Sequence, residues 1–325
     1  MPELSAKTMM GAGPLPELPD YHNFPYREGP SCAWVHSGRA AFECLLLSMP
    51  RPARALVPRF ACDTLLEPLQ RLEIPVVRYP VTEQLQPCPP ANVNTGDLLV
   101  LINYFGLTED AVRAAALRHP GPVVVDATTA LYSAPLPGIP SFYSPRKFAG
   151  LSDGGIACAP FNILLPEGED QAATRMHALL LRSEQGPIAA ATATEQAEES
   201  LSTPPRRMAP LTRQLIAATD WISAAQRRLD NYAQLHAALA PINRLQLPTN
   251  PTTAPMCYPL VCGIPGLRDE LIEAGVLLPL YWPEVIDATP AEDVENRLSR
   301  TLLPLPLDQS CTASDMERLT KLILS

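Results

Sequence analysis

The chain has 325 residues, of which 46% are hydrophobic and 18% are charged, and its formal net charge is −9. This composition excludes a disordered chain, and no apolar run approaches the roughly 20 residues that a membrane-spanning helix needs. The acidic balance, without a cluster of lysines and arginines, argues against nucleic-acid binding. We therefore expect a soluble globular protein with small-molecule partners, built from one large domain and a smaller one.

The first 15 residues lack the charged start, apolar middle and small-residue cleavage site of a signal peptide. We therefore expect a cytoplasmic protein. The eight cysteines form no Cys-x-x-Cys pair and show no cysteine–histidine spacing typical of a zinc site. Reduced, mostly buried cysteines and no metal ion are expected.

Residues 33 to about 160 alternate short apolar runs with amphipathic stretches, which is typical of a mostly parallel sheet flanked by helices. Five apolar runs predict strands, at residues 55–58, 75–79, 98–102, 122–125 and 155–158. The apolar spacing between them predicts three helices, at residues 39–49, 63–72 and 109–118. In a sheet of this kind, ligands bind at the carboxyl ends of the strands.

The second half of the chain predicts a long helix and a small α/β domain. Residues 168–207 look helical and then irregular, with Pro204-Pro205 closing the stretch. Residues 220–239 have the spacing of a helix with one buried stripe, formed by Ile222, Ala225, Leu229, Tyr232, Leu235 and Leu239. The elements that follow are strands at 258–261 and 277–281, a helix at 267–274 and a final helix from Ser314. The predicted divisions are an N-terminal extension (1–32), a large domain (33–215), and a linking helix with a small domain (216–325).

Lysine is almost absent from this chain: of the 25 basic residues, only Lys7, Lys147 and Lys321 are lysines. Where only positive charge matters, the sequence uses arginine. The one lysine far from both termini therefore indicates chemistry that arginine cannot perform, and imine formation is the obvious candidate.

Asp126 provides a second reactive group. It ends the apolar run at 123–125, so its carboxylate is expected at the carboxyl end of a buried strand, and Lys147 precedes the next strand. Pyridoxal phosphate needs both groups: an amine that forms an imine with its aldehyde, and a carboxylate that keeps its pyridine nitrogen protonated. Taken singly, Asp126 is more often a turn cap and Lys147 a solvated loop residue. Their joint placement in a lysine-poor chain favours the cofactor.

Ser37-Gly38-Arg39 opens a predicted helix. A turn of small residues at a helix N-terminus offers free backbone amides and the positive end of the helix dipole to a phosphate. The commoner role of such a serine is to cap an ordinary helix, so both interpretations stay open. Tyr281-Trp282 likewise either lines a substrate cleft or belongs to a domain core.

Four short motifs carry a resemblance: Ser37-Gly38 before a helix, Val57-Pro58 with Phe60, Val125-Asp126-Ala127-Thr128, and Ser144-Pro145-Arg146-Lys147 before Gly154-Gly155. Over about residues 33–160, their order and spacing resemble the DegT/DnrJ/StrS family of sugar aminotransferases. The resemblance implies an α/β protein with the fold type I architecture of pyridoxal-phosphate-dependent transferases. It also implies a homodimer with active sites at the subunit interface.

By matching motif positions, the resemblance implies that Lys147 forms the imine and Asp126 holds the ring nitrogen. Ser37, Gly38 and Ser144 would hold the phosphate, and Asn231 would reach the cofactor of the neighbouring subunit. Some positions depart from the family pattern. Arg39 replaces a threonine, Thr129 replaces a glutamine, and Cys62 stands where an aromatic ring often stacks on the cofactor, with Phe60 as the nearest replacement.

The implied activity is transfer of an amino group from glutamate to a keto-sugar attached to a nucleotide. Two alternatives stay open: the same cofactor could support dehydration or other carbanion chemistry, or the chain could keep the fold only for binding or assembly. Retention of Lys147 in so lysine-poor a chain argues against the second alternative.

Overall fold

A computed structural model describes residues 18–325, and its centre is a seven-stranded sheet. The strands are β1 (Cys32–Val35), β2 (Arg54–Pro58), β3 (Val76–Tyr79), β4 (Asp97–Ile102), β5 (Val123–Asp126), β6 (Ser141–Tyr143) and β7 (Gly155–Cys158). Their order is β1-β7-β6-β5-β4-β2-β3. Strands β2 to β6 run parallel, whereas β7 is antiparallel to both of its neighbours. The predicted mostly parallel sheet is confirmed.

Five of these strands match the predicted apolar runs, and β1 and β6 were not predicted. β6 has only three residues, Ser-Phe-Tyr, which is too short to show a pattern. β1 is a four-residue strand at the edge of the sheet, where Cys32 and Trp34 are only partly buried. Short strands of this kind give a weak sequence signal.

Helices cover both faces of the sheet. α1 (Gly38–Ser48), α2 (Glu67–Arg71) and α3 (Glu109–Arg118) follow the first strands. In β4 the side chains alternate between two cores: Leu98 and Val100 pack on one face, and Leu99 and Leu101 on the other. The strand is therefore buried on both faces, which explains its continuous apolar run.

The predicted helix at residues 63–72 is divided into two pieces. Asp63–Leu65 forms a 3₁₀ turn, and α2 begins at Glu67 with Pro68 in its first turn. Proline lacks an N–H and is tolerated in the first turn of a helix but not in its interior. A continuous helix through Pro68 was therefore wrong.

The middle of the chain is more helical than predicted. It contains α4 (Ala173–Gln185), α5 (Ala191–Glu199), α6 (Pro210–Ala217) and α7 (Trp221–Leu239). The predicted irregular part of residues 168–207 thus includes a second helix, α5. The long helix at 220–239 is confirmed.

The predicted buried stripe of α7 is only partly right. Ile222 is 67% exposed, and Ala225 and Leu229 are half-buried. Their place on the buried face is taken by Arg228 and Asn231, whose side chains hydrogen-bond to backbone carbonyls. Polar groups can be buried when they are hydrogen-bonded. A prediction of the buried face from hydrophobic residues alone therefore missed these two positions.

The C-terminal part contains a two-stranded antiparallel sheet, β8 (Tyr258–Leu260) and β9 (Leu303–Leu305). Four helices accompany it: α8 (Leu267–Glu273), α9 (Pro283–Ala288), α10 (Val294–Thr301) and α11 (Ala313–Leu324). The predicted strand at 277–281 was wrong: this stretch is a loop, and β9 pairs with β8 instead. Pro279 cannot donate to a ladder, and Leu277 and Leu280 are exposed.

Within residues 18–325, no helix combines the length and the apolar character needed to cross a membrane. The interpretation of the first 15 residues, Lys7 and the start of the predicted N-terminal extension lie outside the described residues. The domain limits at 32/33 and 215/216 stay predictions.

Candidate functional site

A cavity of about 550 Å³ lies where strands β4, β5 and β6 end. It is lined from three sides. The ends of the strands and the turns after them contribute Ile102, Asp126, Thr128, Thr129, Phe142, Ser144, Arg146 and Lys147. The start of α1 and the turn after β2 contribute Ser37, Gly38, Arg39, Cys62, Thr64 and Leu65. Later segments of the chain contribute Glu198 and residues 279–284.

Asp126 is the last residue of β5 and is 8% exposed. Its Oδ1 atom accepts a hydrogen bond from the backbone N–H of Thr128, with 2.8 Å between N and O. Burial raises the pKa of Asp126, while the charge of Lys147 and the hydrogen bonds of Thr128 act against the rise. The carboxylate thus lies at the mouth of the sheet, as the strand pattern predicted.

Lys147 ends the 3₁₀ turn Pro145–Lys147 that follows β6, and its exposed side chain lines the cavity. Its Nζ atom donates a hydrogen bond to Thr128 Oγ1 at 3.2 Å. The cavity walls displace water from around the amine, which lowers the pKa of Lys147, and the negative charge of Asp126 opposes this shift. Lys147 and Asp126 therefore bind the same residue, Thr128, and influence each other's charge.

The start of α1 forms the adjacent wall. Ser37 caps the helix, because its Oγ accepts the backbone N–H of Ala40 at 3.1 Å. The amides of Gly38 and Arg39 have no intrahelical partner, as at any helix start. A Cβ atom on Gly38 would lie 3.0 Å from Thr128 Cγ2 and 3.8 Å from Ser144 Cβ. Glycine at this position keeps open the space between α1 and the ends of the strands.

The three positions that depart from the family pattern also line the cavity. Arg39 Nη1 donates to Glu67 Oε1 at 2.7 Å. The Cys62 thiol lies 3.1 Å from Thr64 Oγ1, and burial raises the pKa of this thiol. Thr129 Oγ1 already has two backbone partners, the carbonyl of Asn103 and the N–H of Phe105, each at 3.1 Å.

Two of the residues predicted to bind the cofactor lie elsewhere. Phe60 is fully buried outside the cavity lining, and its ring packs edge-on against Trp282 with 4.5 Å between centroids. Asn231 is buried on α7, where its Nδ2 donates to the carbonyls of Leu307 and Cys311. Phe60 therefore packs in the core beside the cavity, and the role of Asn231 at the cofactor of a neighbouring subunit stays a prediction.

Tyr281 and Trp282 line the cavity, and Trp282 also belongs to the core, so both interpretations of this pair hold in part. Arg146 and Glu198 were not among the predicted site residues. Arg146 Nη2 donates to Glu198 Oε2 at 2.8 Å, and Nη1 bonds Oε1. Arg146 could have been found beside Lys147, whereas Glu198 comes from α5 and carries no sequence signal.

No family model and no curated protein match this sequence. Solved structures do match its fold. DesV of S. venezuelae, solved with a ketimine intermediate, superposes with a TM-score of 0.64 at 17% identity, covering 90% of this chain and 83% of that one. A DegT DnrJ EryC1 StrS aminotransferase from Brucella abortus gives 0.57 at 16% identity, covering 90% and 85%.

A third match is the E. coli GDP-4-keto-6-deoxy-D-mannose-3-dehydratase with bound hydrated PLP. It gives a TM-score of 0.60 at 14% identity and covers 90% of this chain and 87% of that one. The chain therefore has the fold type I architecture of these enzymes, and the predicted fold class is confirmed. At such low identity, the likeness establishes the fold and leaves the reaction to the site's own residues.

Proposed function

We propose that this protein is a pyridoxal-phosphate-dependent enzyme that modifies a sugar, and that it transfers an amino group from glutamate to a nucleotide-linked keto-sugar. One observation carries the proposal: the amine of Lys147 and the carboxylate of Asp126 bind the same residue in one cavity, beside the start of α1. The shared fold with sugar aminotransferases supports it.

The cavity fits this cofactor in size and chemistry. Its volume of about 550 Å³ falls within the roughly 300–1,000 Å³ of small-molecule sites. The phosphate would be held by Ser37, Ser144 and the amides at the start of α1, where Gly38 leaves room. Asp126 would hold the ring nitrogen, and Lys147 would bind the aldehyde carbon.

When bound, pyridoxal phosphate supplies an electron sink for carbanion chemistry. Asp126 would keep a proton on the ring nitrogen through its buried carboxylate. Because the pKa of Lys147 is lowered, more of its amine is uncharged at neutral pH than in an ordinary lysine. The uncharged Nζ atom is the form that attacks a carbonyl, and once released it can take up a proton from the substrate.

A second candidate is dehydration of a keto-sugar by the same residues. The specific support is that two solved structures with this fold are GDP-4-keto-6-deoxymannose dehydratases. Both reactions would need Asp126 to hold the ring nitrogen and Lys147 to move protons. These two residues therefore do not distinguish amino transfer from dehydration. A role in binding or assembly without catalysis is disfavoured by the paired amine and acid.

Visible absorbance of the purified protein tests the cofactor. We expect a band from lysine-bound pyridoxal phosphate that borohydride removes and that Lys147→Ala abolishes. Lys321→Ala, at the exposed lysine of α11, is the matched control and should keep the band. Wild-type protein that neither purifies with the cofactor nor acquires the band on its addition would falsify both enzymatic candidates.

The product formed from a keto-sugar separates the two reactions, because glutamate reacts with the cofactor in both kinds of enzyme. A product that carries nitrogen from glutamate, formed with one 2-oxoglutarate per turnover, supports amino transfer. A product that has lost a hydroxyl group and carries no nitrogen, with ammonia released into solution, indicates dehydration.

We also propose a homodimer that binds small molecules, as the family resemblance implies, with its active sites at the subunit interface. Light scattering of the purified protein tests this: a mass near twice the 35.3 kDa of the chain is expected, and a mass of one chain contradicts it.

A further inference from the structure

Two guanidinium groups in the cavity share one carboxylate. The two terminal nitrogens of Arg146 each donate a hydrogen bond to a different carboxylate oxygen of Glu198. This is the forked geometry that arginine makes with carboxylates. Arg39 Nη2 donates to the backbone carbonyl of Glu198 at 3.1 Å and lies 3.6 Å from Oε2. Both arginines are mostly buried, with side-chain exposures of 13% for Arg39 and 21% for Arg146.

Glu198 reaches this position from outside the sheet. It lies one residue before the end of α5, in a stretch of chain that follows the last strand of the sheet. Burial alone would raise the pKa of Glu198, but the hydrogen bonds and charge of Arg146, with the charges of Arg39 and Lys147, lower it overall. The side chain is therefore an ionised carboxylate directed at the cavity that Lys147 lines.

Arg146 still has an unused donor. Its Nε atom is buried and has no hydrogen-bond partner within the part of the chain described, residues 18–325. A buried N–H without a partner is unfavourable by roughly 1–3 kcal/mol, so the pairing with Glu198 leaves the guanidinium of Arg146 incompletely satisfied. Arg39, in contrast, is also tied to Glu67 at 2.7 Å and is held in place from the other side.

We propose that Arg146, supported by Arg39, recognises the carboxylate of an amino acid substrate, and that Glu198 occupies this position until the substrate displaces it. The inference rests on the proposed function and adds a specificity residue to it. One carboxylate replaces another, so the charge around the two arginines is unchanged by the exchange. The substrate carboxylate would then be held next to Lys147, where its amino group must react.

Phosphate is the competing oxyanion. A phosphate carries about −1.5 to −2 charges near neutral pH, and exchange with the single charge of Glu198 would leave the cluster with excess negative charge. The amides at the start of α1 and the hydroxyls of Ser37 and Ser144 form a separate place for it. The structure thus favours the carboxylate, and binding measurements with both ligands distinguish them.

Binding of glutarate to the cofactor-free protein, measured by calorimetry, tests the proposal. Glutarate has the two carboxylates of glutamate but no amino group, so it binds without reacting. Loss of charge-assisted hydrogen bonds should weaken glutarate binding about tenfold or more in Arg146→Gln. Arg146→Lys, which keeps the charge but loses the fork, should recover only part of the affinity.

Glu198→Gln removes the competing carboxylate and should tighten glutarate binding several-fold. Glu195→Gln, at an exposed glutamate on the same helix, is the matched control and should leave binding unchanged. In cofactor-loaded protein, Arg146→Gln should raise the glutamate concentration for half-maximal conversion while the limiting rate changes little. Urea midpoints of the variants show whether each is folded.

Unchanged glutarate binding in folded Arg146→Gln and Arg146→Lys overturns the proposal, and so does weaker binding in Glu198→Gln. If Arg146→Gln weakens binding of pyridoxal phosphate but not of pyridoxal or glutarate, the arginines hold the phosphate and the proposal is wrong. Failure of the proposed function is a different result, since a protein that never acquires the visible band can still be titrated with glutarate.

Discussion

Asp126 and Lys147 change each other's proton affinity because both line one cavity and carry opposite charges. Burial lowers the pKa of Lys147, and Asp126 limits that fall. The cofactor reacts only with an uncharged amine, so the pH at which Lys147 captures it reports on Asp126 as well.

Asp126→Asn should therefore shift cofactor capture to lower pH. Without the nearby negative charge, the pKa of Lys147 falls further, and the uncharged amine is present at more acidic pH. The measurement is the borohydride-trapped fraction of protein as a function of pH, under saturating pyridoxal phosphate. Asp110→Asn, at an exposed acidic residue of α3, should leave the midpoint unchanged. A midpoint that stays in place or rises in Asp126→Asn contradicts the coupling.

Gly38→Ala tests whether the space beside α1 is used. The new methyl group would lie 3.0 Å from Thr128 Cγ2, which is tighter than an ordinary contact. We expect affinity for pyridoxal phosphate to fall about tenfold or more, because the methyl group fills space that the phosphate would use, and loss of one hydrogen bond to a charged group costs roughly 1.5–3 kcal/mol. Gly29→Ala, where a Cβ meets nothing within 4 Å, is the control for equilibrium dialysis. Equal affinity in Gly38→Ala and wild type would place the phosphate elsewhere.

Single residues were predictable where a strand pattern fixed their position. Asp126 follows a run of three valines, which puts its carboxylate at the sheet's edge. The ring-stacking role given to Phe60 could not be checked from sequence, since it depends on which way the turn after β2 directs its side chains. Glu198 was beyond prediction because its contact with Arg146 joins residues 52 positions apart through side-chain geometry alone.

At the scale of elements, the stretch after α5 is tied to the turn before α1 by His36. The backbone N–H of Arg206 donates to His36 Nδ1 at 3.1 Å, and Nε2 lies 3.3 Å from the carbonyl of Leu201. This arrangement fits a neutral ring with its proton on Nε2. Burial lowers the pKa of His36, and the charge of Asp170 opposes the shift.

The sign of the pH dependence follows from this lowered pKa. Between the folded pKa and the unfolded value of about 6.5, the unfolded chain binds one more proton than the folded chain, so stability falls as the pH falls. This histidine contributes a slope of at most about 1.4 kcal/mol per pH unit. His36→Gln should flatten the pH dependence of the urea midpoint below about pH 6.5, while His177→Gln, at an exposed histidine of α4, should not. The same slope in wild type and His36→Gln would refute the assignment.

Elements were predictable in proportion to their length and burial. The six-residue β4 is buried throughout and gave a clear signal, whereas the three-residue β6 gave none. The error at 277–281 has the opposite cause: leucines on either side of Pro279 imitate a strand, but their side chains belong to a loop that lines the cavity. Whether such a run forms a strand depends on a neighbouring strand that it can pair with, and a single sequence does not show that neighbour.

For the whole molecule, the fold persists at 14–17% identity because it depends on the order of strands and on burial on both faces of the sheet. The sequence predicts this architecture well, since alternating strands and helices leave few topologies. It does not predict how α5 meets the cavity or which polar groups are buried on α7, because those features depend on contacts between distant segments.

The cavity joins the sheet, α1, α5 and residues 279–284, which comprise a loop and the start of α9, so a ligand bound there should stabilise the entire fold. At a pyridoxal phosphate concentration of 100 times its dissociation constant, the free energy of unfolding should rise by about 2.7 kcal/mol. Urea unfolding with and without the cofactor measures this gain. Lys147→Ala should show a smaller gain at the same concentration, because only non-covalent contacts remain, while Lys321→Ala should match wild type. At a fixed cofactor concentration, the gain in the free energy of unfolding depends only on affinity. An equal gain in Lys147→Ala and wild type would therefore mean that the cofactor binds without using this amine.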